Sequence, residues 1–123
     1  MMNLESVGVV IASRDLTLDG NLKVQILIGM PERLPGSDDW YCPNQTLGIG
    51  SEKVRCIGGV DALQALVLSL SNVGVQLYCS AEYKAGRLSW DRGAVKGDLG
   101  LPVPDNIRDV LPKGRTGDSG AKG

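Results

Sequence analysis

The sequence predicts an α+β domain: a mostly antiparallel sheet of about four to six strands against one long buried helix, with a short C-terminal helix. Three observations predict it. Two β-branched segments flank an Asp-Gly turn. One central stretch has helix-forming composition without proline or internal glycine. Clusters of Gly, Pro and Asp cut the rest into short runs.

Residues Val7 to Leu18 (VGVVIASRDLTL) read as the first strand. Asp19-Gly20 supplies a hairpin turn, after which Leu22, Val24, Ile26 and Ile28 alternate with Lys23, Gln25 and Leu27. Pro31 to Asp39 (PERLPGSDD) must be a surface loop. A third strand is expected over Trp40 to Cys42 and Gln45 to Ile49, interrupted by Pro43, which suits an edge strand or a bulge. Gly48 to Ser51 makes a turn and Lys53 to Ile57 the fourth strand, which Gly58-Gly59 breaks.

Val60 to Asn72 (VDALQALVLSLSN) is expected to be helical. Leu63, Leu66, Val67 and Leu70 follow helical spacing, with Asp61, Gln64, Ser71 and Asn72 in a thin polar remainder. Such a helix is expected to be largely buried, with Gly74 as its C-cap. Val75 to Ala81 (VQLYCSA) and Leu88 to Trp90 read as further strands, and Gly97 to Pro104 as an irregular stretch. Asp105 can cap a short helix, Asn106 to Leu111, stopped by Pro112. Residues 1–111 are thus expected to form a single domain and 112–123 a disordered tail.

Composition narrows the chemistry. A chain of 123 residues with 42% hydrophobic content can bury one core. It has no histidine, which removes Ser-His-Asp and Cys-His catalysis and the common His-containing zinc sites. Catalysis by carboxylate, lysine or tyrosine stays open. Cys42, Cys56 and Cys79 are an odd, widely spaced set, without CxxC, and each is expected to pack as a small core hydrophobe. No catalytic residue, metal site or cofactor site is expected. Net charge is −1, and with few aromatics and no clustered bases no nucleic-acid partner is expected. No apolar run approaches the roughly 20 residues of a membrane span, and Met1 to Glu5 show no signal-peptide pattern, so the expected compartment is the cytoplasm.

Three places merit weighing. Gly58-Gly59 before a helix could present N–H groups to an anion, yet no phosphate-binding motif is complete there, and Asp61 occupies the field a phosphate would use. Asp38, Asp39, Trp40 and Tyr41 join carboxylates to aromatics: either an ordinary acidic loop or an anchor for a partner. Glu82, Tyr83 and Lys84, with Arg87 nearby, read as a solvated turn or a second contact region. Charge is also split along the chain, with seven acids and three bases in residues 1–52 (−4) and seven acids and ten bases in 53–123 (+3). Halves on different faces would give an electrostatic dipole.

Five segments occur together in order: IASRDLTL (Ile11 to Leu18), DWYCP (Asp39 to Pro43), GVDALQAL (Gly59 to Leu66), YKAGRLSW (Tyr83 to Trp90) and DLGLPVP (Asp98 to Pro104). In these the chain resembles an uncharacterised family of small bacterial domains of unknown function, over roughly Ile11 to Leu111. The resemblance implies a bacterial origin and a single domain, and carries over no catalytic residue.

The leading expectation is a non-enzymatic protein-binding module, most concretely an immunity (antitoxin-like) protein that occludes a secreted toxin. Its candidate contacts are Asp38, Asp39, Trp40, Tyr41, Glu82, Tyr83 and Lys84. The alternative is a small-ligand binder or histidine-free enzyme with a pocket between helix and sheet. A homo-oligomer joined at a sheet edge is the third reading.

Overall fold

The structure is a computed structural model and describes residues 4–103. The strands are β1 (Val10–Leu18), β2 (Leu22–Gly29), β3 (Glu32–Arg33), β4 (Trp40–Leu47), β5 (Arg55–Gly59) and β6 (Leu88–Ser89). The helices are α1 (Ala62–Tyr78) and the short α2 (Ala81–Lys84). Six strands form one antiparallel sheet in the order β3-β4-β2-β1-β6, with β5 also on β4. Asn44 pairs with both Ile28 and Arg55, and Tyr41 with both Glu32 and Gly58. Strand β4 therefore has β2 and β3 along one side and β5 along the other. The expected α+β architecture is present. The expected helix at Asn106 to Leu111 and the expected tail at 112–123 lie outside the described residues.

The first hairpin forms as the Asp-Gly pair requires. Asp19 and Gly20 both take positive φ, and the Asn21 N–H donates to the Leu18 carbonyl (3.3 Å). Leu16, Leu18, Val24, Ile26 and Ile28 then fall on one face, with Cys42, Asn44 and Thr46 of β4 beside them. Helix α1 covers that face with Ala65, Ser69, Val73 and Leu77, one per turn.

Several details differ from the sequence-based expectation, beginning with the short strand β3 inside the expected Pro31 to Asp39 loop, where Glu32 and Arg33 pair with Tyr41 and Trp40. Pro43 lies inside a continuous strand flanked on both sides. It is tolerated because the ladder to β2 stops at Asn44 and that to β3 begins at Tyr41, leaving Pro43 in the gap. Gly58 and Gly59 are the last two residues of β5, where the strand was expected to end at Ile57. A Cβ on Gly59 would stand 2.4 Å from the Ala65 amide nitrogen, so this glycine lets strand and helix touch. The helix does not stop at Gly74, and Val75 to Tyr78 form its last turn instead of a strand. The once-per-turn burial of Ser69, Val73 and Leu77 outweighs the local alternation of VQLYCSA. Finally, Cys42 is buried as expected, whereas Cys56 is half-buried and Cys79 exposed, because Cys79 sits at the helix end on the outward side.

After β6 the chain returns over the helix as an irregular strap. Leu99 is fully buried and Leu101 nearly so. The Tyr78 hydroxyl accepts from the Leu99 N–H (3.0 Å), and the Tyr83 hydroxyl donates to the Gly97 carbonyl (2.7 Å). Arg14 of β1 stacks on Trp90 (3.9 Å to the ring centroid) and donates to the Leu99 and Gly100 carbonyls (3.1 and 2.7 Å). Among the described residues, no helix is long and apolar enough to cross a membrane.

Candidate protein interface

The N-terminal end of α1 is fixed by its own cap. Asp61 is extended, and its carboxylate accepts from the Gln64 N–H (2.8 Å). The Gln64 side chain returns the contact by accepting from the Val60 N–H (2.8 Å). One amide donor of the first turn, and one just ahead of the cap, are thereby satisfied. Sequence reasoning placed Asp61 within the first turn; it is the residue before it.

From this cap a row of apolar side chains runs along the outward side of α1. Val60 and Leu63 are 68% and 69% exposed, Val67 50%, and Leu68 and Val75 are exposed as well. Leu63 and Val67 are one turn apart, so they stand side by side. The expectation of a helix buried over most of its circumference therefore holds only for the side facing the sheet. A single sheet layer shields one side of a helix, and the strap covers a second region near Gly74 and Tyr78.

The acidic aromatic loop lies at the same end of the helix. Trp40 pairs with Gly59, the residue before Val60. The turn ahead of it is held by Leu34 N–H to Asp39 carbonyl (2.8 Å) and by Asp39 N–H to Ser37 Oγ (3.0 Å). This leaves Asp38 and Asp39 exposed. Trp40 is half-buried against the core, with the Arg33 guanidinium 5.7 Å from its ring.

The candidate contacts named from sequence do not converge. Tyr41 alternates to the opposite face of the sheet from Trp40, where it pairs with Glu32 and Gly58. Burial and the Glu32 carboxylate raise its phenol above the ordinary range. Tyr83 is a core residue, edge-on to Tyr78 with ring centroids 5.0 Å apart, and does not present its ring at the surface. A four-residue helix must turn one side chain inward to dock at all, and here it is the tyrosine. Lys84 is exposed and Glu82 partly so, but both follow the C-terminus of α1. The 17 residues of α1 put them about 25 Å from Asp61.

What remains together is Asp38, Asp39, Trp40 and Asp61 beside Val60, Leu63 and Val67. The three apolar residues were missed as contacts. The signal for them in the sequence is that the stretch is apolar on more sides than one layer can bury. Among the described residues, no group of three or more Cys, Asp or Glu side chains is arranged to hold a metal ion.

Residues 12–103 match the domain of unknown function DUF6968, and the chain belongs to that family. No curated protein and no solved structure matches it.

Proposed function

We propose that this DUF6968 domain is a protein-binding module that acts by occlusion, docking its partner on the outward face of α1. The exposed row Val60, Leu63 and Val67 carries the reading, since contiguous apolar surface of this kind marks interaction sites. The acids Asp38, Asp39 and Asp61 border the same end of the helix. A partner with an apolar centre and a basic rim complements it, the acids steering approach and the apolar row supplying affinity. In its most concrete form the domain is a bacterial immunity protein, cytoplasmic, and the partner is a secreted toxin whose basic active-site cleft it covers.

The test is a stoichiometric complex with the product of a neighbouring reading frame, isolated with the full chain. The double variant Leu63→Lys, Val67→Asp should lose that complex by a factor of about a hundred or more, with its thermal midpoint unchanged. Reversing the rim with Asp38→Lys and Asp39→Lys should slow association and flatten its salt dependence. A complex that survives the helix-face variant intact would overturn the docking site. Neighbouring products that never bind the domain would overturn the immunity reading.

A further inference from the structure

At the other end of α1 lies an open cleft of about 210 Å³, walled on one side by the sheet and on the other by the helix end. The sheet wall is the β4–β5 connection with Lys53 and Arg55, and the helix wall is Gln76, Ser80 and Glu82. Ile49 and buried Leu77 give it an apolar base. Thr46 also lines it: this residue is only 8% exposed, and its hydroxyl has no hydrogen-bond partner among the described residues.

The connection is braced before any ligand arrives. Glu52 Oε2 accepts from the Gly48 N–H (2.7 Å), and Gln45 Nε2 donates to the Glu52 carbonyl (2.8 Å). Glu52 is therefore committed to the loop. Lys53 and Arg55 are not: among the described residues, neither cation has a carboxylate within 4.0 Å. Glu82 has no cation within 4.0 Å among them, with the Arg87 guanidinium near enough to feel its charge. On the helix wall, Gln76 continues a polar chain out of the interior. Ser69 Oγ donates to the Cys42 carbonyl and accepts from Asn44 Nδ2, which also donates to Asn72 Oδ1, and Gln76 Nε2 donates to that same oxygen. Among the described residues, this leaves the Gln76 amide oxygen without a donor.

The two walls thus carry opposite charge. Lys53 and Arg55 favour an anion. Glu82 and the negative end of the α1 dipole favour a cation. A volume below the roughly 300 Å³ of drug-sized sites restricts the occupant to a few heavy atoms. We propose that this cleft binds a small zwitterion of the amino-acid class, its carboxylate at Lys53 and Arg55, its ammonium at Glu82 and Gln76, and its body over Ile49 and Leu77. A ligand polar atom also gives the Thr46 hydroxyl the partner it lacks. The site is separate from the docking face and does not depend on it.

The experiment titrates the full chain with free α- and ω-amino acids, and with the matching carboxylic acids lacking the amino group, following backbone amides by NMR. At least one amino acid should give saturable shifts confined to Thr46, residues 50–55 and residues 80–82. Lys53→Ala and Arg55→Ala should each weaken it by about tenfold or more, as loss of a charge-assisted contact does. Glu82→Gln should weaken the amino acid and leave the matching carboxylic acid unaffected. The Leu63→Lys, Val67→Asp variant should bind the ligand normally, which separates this site from the interface. No saturable shift at millimolar ligand, or Glu82→Gln weakening both compounds equally, overturns the proposal.

Discussion

A methyl group added at Gly74 would stand 2.0 Å from the Pro102 carbonyl oxygen, a backbone atom that cannot swing aside as a side-chain end can. Two effects oppose each other there. Alanine gains about 1 kcal/mol of helix propensity over glycine, while moving the strap costs about 1–3 kcal/mol through displaced Leu99 and Leu101. Because those leucines are 0% and 7% exposed, the clash wins. Gly74→Ala is expected to lower stability by up to about 2 kcal/mol in urea unfolding. Gly58→Ala makes the control: its nearest contact is an ordinary 3.7 Å, so it should be neutral or stabilise by a few tenths of a kcal/mol. The sequence reads Gly74 as a helix cap because a cap and a close approach use the same residue. The contact that tells them apart comes from a segment 28 positions away, at Pro102.

Helix α1 shows which parts of an element local sequence encodes. Its start is legible, since Asp61 and Gln64 are spaced so that Asp61 caps the first turn and Gln64 holds the residue ahead of the cap. Asp61→Ala should therefore cost about 1 kcal/mol, whereas Asp61→Asn, which keeps an acceptor oxygen, should cost a few tenths. Circular dichroism with urea titration separates the two outcomes, and equal losses would mean that charge rather than capping matters at this position. The end of α1 is not legible, because Val75 to Tyr78 owe their helicity to what Leu77 and Tyr78 pack against. The same reasoning covers the candidate contacts. Asp38, Asp39 and Trp40 could be named from their turn and residue types. Tyr41 could not be assigned a face without the register of β4, nor Tyr83 a place in the core without the strap.

The sheet draws strands from both halves of the chain. Strands β5 and β6 of the second half flank β4 and β1 of the first, one at each side of the sheet. What joins the halves at the β6 side is a tether between positions 68 apart in sequence. Arg87 donates to both carboxylate oxygens of Asp19 (2.7 and 2.9 Å), while the Asp19 N–H donates to the Arg87 carbonyl (2.8 Å). The guanidinium holds the Asp19 carboxyl below its ordinary value of 3.8, chiefly through these hydrogen bonds. A carboxyl depressed in the fold makes the unfolded chain take up the proton first. Its contribution to stability is therefore present above 3.8 and is lost as pH falls through the lower folded value. The pair is exposed, so the contribution is small and screened by salt. Arg87→Gln retains the backbone bond and removes the charge. Its urea midpoint should lie below that of the parent at neutral pH, and the gap should close as pH drops well under 3.8 or as salt is raised. A gap independent of both would assign the tether to the Asp19 N–H bond and to the packing of Leu88 on Leu18, with the ion pair contributing nothing.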